Sequence, residues 1–149
     1  MIVHDGTPVF ESAAIQIYLG ETFGTDEGLY PPAGPKRGEA MAWLVWSSTE
    51  LAATVVQWQG HVGHEVPPQD RDGAAGQAAR RRLDALIGLV EHNLAEREAM
   101  LGTAVSLVDI HLASFFQWIT ALGVDLSPFP RTAAWLARCS SRPAGARVK

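Results

Sequence analysis

Glu11 and Ser12 are neighbours, and together they could hold a zwitterion. Ser12 precedes residues at helical spacing, so it stands where backbone N–H groups point outward and the helix dipole is positive. Such a place favours a carboxylate. The adjacent Glu11 carboxylate could accept hydrogen bonds from an ammonium group. The same pair also reads as an ordinary helix start, with Ser12 as N-cap and Glu11 as a favourable nearby acid. Spacing alone leaves both readings open.

A second cluster is structural. Ser106-Leu107-Val108-Asp109 is a Ser-x-x-Asp capping box, with Val105 and Ile110 at the two positions of a hydrophobic staple. Other candidates read more plainly. His61 and His64 have a metal-like spacing but lack a third ligand, so exposed loop histidines and no metal are expected. Arg80-Arg81-Arg82 could attract an acidic ligand, yet acids such as Asp84 favour a solvated helix face. Trp43, Trp46 and Trp58 suit core or subunit packing, with a pocket wall as the alternative. Cys139 is the sole cysteine and is expected to be a buried small hydrophobe.

These residues need elements to position them. Ile2-Val3 and Val9-Phe10 flank an Asp5-Gly6 turn and predict a β-hairpin. A helix is predicted from Ser12, with Gly24 ending it in a left-handed turn. Gly28 to Gly34 holds Pro31-Pro32 and reads as a linker. Four further helices are expected. The first runs from Pro35 to Gly60, on a stripe of Met41, Leu44, Val45, Ser48, Leu51, Ala52 and Val55. The second runs from Ala74 to Ala99, burying Ala79, Leu83, Leu86, Val90 and Leu94. The third runs from Ser106 to about Gly123 and the fourth from Arg131 to Ser141.

Composition sets the bounds. The chain has 149 residues, 47% of them hydrophobic, with a net charge of −4. Length and hydrophobic content fit a packed core that buries roughly 70% of the unfolded surface. One cysteine excludes an internal disulfide and fits a reducing, cytoplasmic compartment. The acidic balance argues against a nucleic-acid partner, and no apolar run is long enough to span a membrane.

Motif context adds a family. The Gly102…Ser106-x-x-Asp109 box opens a mostly apolar helix and resembles the capping box of the cytosolic glutathione S-transferase C-terminal domain. Pro130 to Arg138 and then Arg142-Pro143-Ala144 resemble that family's closing helix. Asp5-Gly6, Glu11-Ser12-Ala13-Ala14-Ile15 and Tyr18-Leu19 resemble the end of its N-terminal domain.

The resemblance implies a mostly α fold. A transferase-type helical bundle would follow a β-hairpin and helix left from a thioredoxin-like α/β domain. Residues 1–27 would be that partial domain, 28–34 the linker and 35–149 the helical domain. It implies glutathione as co-substrate, with no cofactor. The γ-glutamyl head would lie on Glu11 and Ser12, and a hydrophobic electrophile against the helical domain. A homodimer through the helices beginning near Pro35 and Ala74 is implied too.

In this family the Tyr, Ser or Cys that activates the thiol follows an earlier strand, and nothing before Glu11 takes that role, so no catalytic residue is assigned. A cis-proline of the family would fall just before Met1. The expectation is an N-terminally truncated gene, or an internal methionine read as a start, with impaired conjugation. A non-catalytic interaction module and a glutathione-dependent reductase, isomerase or dehalogenase are the alternatives.

Overall fold

The computed structural model describes residues 1–63 and 66–143. Strands β1 (Ile2–His4) and β2 (Thr7–Val9) pair antiparallel, with Ile2 opposite Val9 and His4 opposite Thr7. Asp5 and Gly6 have φ of 48° and 76°, the two positive values that a two-residue hairpin turn needs. Phe10 lies outside the second strand and is 65% exposed, because the chain leaves the ladder to enter the unusual backbone of Glu11.

Helix α1 (Ser12–Leu19) runs straight into a wide π-helical turn, Gly20–Gly24. Gly24 does not end the helix in a left-handed turn. It stays within the wide turn, and Gly28, with φ of 68°, reverses the chain instead. The helix face at Gly20 is bare for a packing reason. A Cβ there would fall 2.5 Å from Cγ of Tyr30, whose side chain is buried in the core. The 28–34 segment is therefore docked on the helices. Leu107 N–H also donates to the Leu29 carbonyl at 2.9 Å.

The predicted Pro35–Gly60 helix is present but has a fault in its middle. It comprises α2 (Pro35–Trp46), a π-helical turn (Ser47–Leu51) and α3 (Ala52–Val62). Ala40, Leu44, Ser47, Leu51 and Val55 are buried along it. Val45, expected in the stripe, is 47% exposed because it stands about 100° around the helix from Leu44. Trp43, Trp46 and Trp58 pack at the margin of the core, and Trp43 meets Trp46 edge to face at 5.2 Å.

Helix α4 (Gly73–Asn93) is N-capped by Asp72, which accepts from the Ala74 and Ala75 N–H groups at 3.0 Å. It stops at Asn93 rather than near Ala99. The Asn93 amide and Arg97 both donate to the Met100 carbonyl, at 3.0 and 3.1 Å, and fold the following residues into a tight turn. Ile87 is fully buried, whereas Leu86 is only half-buried. The arginine run behaves as a solvated face: Arg80 pairs with Asp84 at 2.9 Å and Arg82 with Glu50 at 2.6 Å.

Helices α5 (Leu107–Ala121) and α6 (Pro130–Ser140) match their predicted bounds within a residue or two. Ser106 is the N-cap of α5, and the reciprocal box with Asp109 is present. The staple is slight, since Ile110 remains 42% exposed. The carboxylate does far more than cap. Asp109 is fully buried and accepts four hydrogen bonds, from Ser106 N–H (2.8 Å), Ser106 Oγ–H (2.7 Å), Met100 N–H (2.7 Å) and Trp135 Nε1–H (2.9 Å). One side chain thus ties together the start of α5, the turn after α4 and the middle of α6. The Trp135 ring completes the contact by meeting Phe116 edge to face at 5.6 Å. Cys139 is buried as expected. Burial, then the Asp109 charge, pushes its thiol up to about 11, which leaves it protonated and unreactive at neutral pH.

Helix α6 has no side-chain cap of its own. Glu91 of α4 supplies one from a distance, accepting from Arg131 N–H (3.1 Å), Thr132 N–H (2.8 Å) and Thr132 Oγ–H (2.9 Å). Burial pushes the Glu91 carboxyl upward, but these donors and the Arg131 charge outweigh it, and the net shift is downward.

Two predictions follow from these carboxylates. Asp109→Ala should lower unfolding free energy by about 3–5 kcal/mol, because it strands buried donors as well as removing a cap. Trp135→Phe, which removes the indole donor and leaves a small gap where the larger ring was packed, should cost about 2–3 kcal/mol. Urea midpoints of the two variants measure the difference, and equal shifts would contradict the shared carboxylate. The Glu91 contribution should be complete above the carboxyl's unfolded pKa and vanish as pH falls through its lower folded value. Glu91→Gln should therefore flatten the acid limb of the stability curve. An unchanged acid limb would mean that Glu91 does not bind α6 as a carboxylate.

Candidate functional site

The backbone conformation that brings Glu11 and Ser12 together is unusual. Glu11 has φ 67° and ψ 126°, a region that a residue with a Cβ rarely enters. It occupies the cap position of α1, while Ser12 is the first residue inside the helix. Ser12 is therefore not the N-cap that its type suggested. The Glu11 side chain makes no cap hydrogen bond, and the first turn of α1 holds no acidic residue. The N–H groups of that turn are left for another partner. Both Glu11 and Ser12 are exposed.

Neighbouring elements hold this corner in place. His4 Nδ1 is hydrogen-bonded to the Tyr18 hydroxyl, and its ring lies against Phe23, so the hairpin is pinned to α1. Ala13 and Ile17 pack on the helical core. These contacts hold the strained turn at Glu11 in place.

Ser12 also has polar neighbours that sequence reasoning missed. Its Oγ lies 3.5 Å from Oγ of Ser48, in the wide turn between α2 and α3. Ser48 Oγ lies 3.5 Å from Nε2 of His111 on α5. His111 is only 4% exposed, and its ring meets Phe115 edge to face at 5.1 Å. Burial lowers the His111 pKa below its ordinary value, so the ring is neutral at pH 7. The available signal was a lone histidine two residues past Asp109 in a mostly apolar helix.

The remaining candidates lie elsewhere. Ser106 and Asp109 are buried in the scaffold described above. His61 is on α3, and His64 lies outside the described residues. Among the described residues no group of three or more His, Cys, Asp or Glu side chains could hold a metal ion. A surface recess of about 310 Å³ beside Tyr30, Lys36 and Thr103 does not include Glu11, Ser12, Ser48 or His111.

Residues 55–143 match the family profile described as the glutathione S-transferase C-terminal domain. The chain belongs to the glutathione S-transferase family. It is similar to Glutathione S-transferase GstB of Escherichia coli K12, with 29% identity over 145 residues that cover 94% of this chain and 66% of the relative. A solved glutathione transferase from Methylococcus capsulatus str. Bath superposes with a TM-score of 0.83 at 30% identity, covering 97% of this chain and 68% of that one. A transferase from Burkholderia graminis, solved with two glutathione molecules bound per subunit, superposes with a TM-score of 0.82 at 28% identity, covering 96% and 61%. The mostly helical transferase fold with a thioredoxin-like remnant is thereby established. The chain spans just under two thirds of the length of the curated relative.

The Glu11 geometry gives a direct prediction. Glu11→Gly should stabilise the free protein by up to about 1 kcal/mol, by removing a Cβ from a positive-φ backbone, while weakening any ligand that needs the carboxylate. Thermal melts with and without ligand separate the two effects. A lower melting temperature in the free variant would show that the site is not strained.

Proposed function

We propose that this chain binds the γ-glutamyl head of glutathione at Glu11 and Ser12, serving conjugation of the glutathione thiol to a hydrophobic electrophile. Glutathione is the co-substrate here, not a cofactor. The observation that supports this reading is the uncapped, exposed N-terminus of α1, with a carboxylate beside it on a strained backbone. The γ-glutamyl head presents an α-carboxylate and an α-ammonium. The carboxylate would take the Ser12 hydroxyl and the free N–H groups of α1, where the dipole favours it. The ammonium would take the Glu11 carboxylate, a charge-assisted contact.

The group that lowers the thiol pKa is the other half of the chemistry. Family resemblance puts it upstream of Glu11, and no residue here is assigned to it. We take residues 1–27 as the thioredoxin-like part, 28–34 as the linker and 35–149 as the helical part that walls the electrophile side. Homodimerisation and a reducing, cytoplasmic setting belong to the same reading. Val45, Val56 and Leu89 leave exposed apolar side chains on the long helices, and Cys139 stands as a free thiol. No described helix is long and apolar enough to cross a membrane.

The test is retention on immobilised glutathione. The unaltered chain should be retained, and Glu11→Ala or Ser12→Ala should each weaken binding by about 10-fold or more, the scale of one charge-assisted hydrogen bond. Circular dichroism should be unchanged in both. A folded chain that ignores the resin would favour a non-catalytic interaction module instead.

A further inference from the structure

The corner beside Glu11 and Ser12 contains a line of polar groups that runs inward rather than outward. Ser12 Oγ, Ser48 Oγ and His111 Nε2 follow one another at 3.5 Å per step. They come from three separate elements: the start of α1, the wide turn after α2, and α5. The line passes from an exposed residue to one almost fully buried. Each hydroxyl has one hydrogen to give, and a neutral imidazole has one N–H and one bare nitrogen. A line of this kind therefore has a direction.

We infer that His111 is a positioning residue for the ligand's carboxylate, acting through Ser48 on Ser12 in a one-way chain of hydrogen bonds. The inference rests on the glutathione reading above. To bind a carboxylate, Ser12 must donate its hydrogen outward, because a carboxylate only accepts. Ser12 Oγ is then free to accept from Ser48. Ser48, having donated to Ser12, must accept from His111. The imidazole proton must accordingly sit on Nε2, with Nδ1 bare. The opposite tautomer would turn Ser48 toward His111 and Ser12 toward Ser48, leaving no hydrogen for the ligand.

Sequential donors polarise one another, so the outermost O–H is a better donor than a lone serine. The 3.5 Å steps are long for hydrogen bonds, and they tighten when the anion orders the first hydroxyl. The site of Ser48 favours this role. A π-helical turn widens the helix at the point where the side chain must reach both α1 and α5. The T-shaped contact with Phe115 fixes the plane of the His111 ring.

Two measurements test the inference. Nitrogen-detected NMR of the free chain at pH 7 should show His111 neutral with its proton on Nε2; a proton on Nδ1 overturns the inference. Glutathione binding by calorimetry should weaken about 10-fold in Ser48→Ala and in His111→Phe. The double variant should be little worse than either single one, because the groups act in series. His111→Gln, which can present an amide N–H near the Nε2 position, should restore most of the affinity. Binding that needs Glu11 and Ser12 but ignores Ser48→Ala and His111→Phe would overturn this inference alone. No binding by the unaltered chain would overturn the glutathione reading and this inference with it.

Discussion

A carboxylate with no solvent around it is the constraint on which this fold depends. Burying an ionised group is costly unless every lone pair finds a donor. Asp109 meets that demand with donors drawn from the turn after α4, the start of α5 and the middle of α6. The requirement works in both directions. The carboxylate needs the turn at Met100 and the ring at Trp135, and those backbone and indole N–H groups need the carboxylate. Met100 is held from its other side too, where its carbonyl takes Asn93 and Arg97. Helices α4, α5 and α6 therefore meet at one polar point inside an apolar core.

That arrangement explains what could be read beforehand. The Ser106–Asp109 spacing revealed a cap, because a cap is a local pattern of four residues. It gave no sign of Met100 or Trp135, because their partnership depends on how helices are folded back together. The same division runs through the chain. Asp5-Gly6 specified its hairpin, and Pro35 marked a helix start, since φ preferences act locally. Gly24 was misread because the chain runs on through it in the wide turn, and the positive φ that reverses the chain falls at Gly28. Val45 was misplaced because it adjoins Leu44 in sequence yet stands about 100° around the helix from it.

The site shows the same split between local and distant causes. Glu11 and Ser12 were visible as a pair, but the residue types suggested that serine was the cap. The backbone instead gives the cap position to Glu11, in a conformation suited to glycine, and leaves the helix end open. A free helix end and a strained acid are poor choices for stability alone. Under the proposed function the two belong together, because the γ-glutamyl head would supply the contacts that each lacks. Ser48 and His111 lie about 35 and 100 residues further along and could not be joined to the pair without the helical packing.

The wide turn at Ser47–Leu51 has a consequence for how this protein can change over time. A π-helical turn holds one residue more than the regular ladder around it. Loss of a single residue there would close the wide turn to the regular ladder and leave the helix beyond it nearly in phase, so Leu51 and Val55 would keep facing the core. Ser48 would lose the widened backbone from which it reaches toward Ser12 and His111. The extra residue therefore matters to the polar corner far more than to the packing of the two helices it joins.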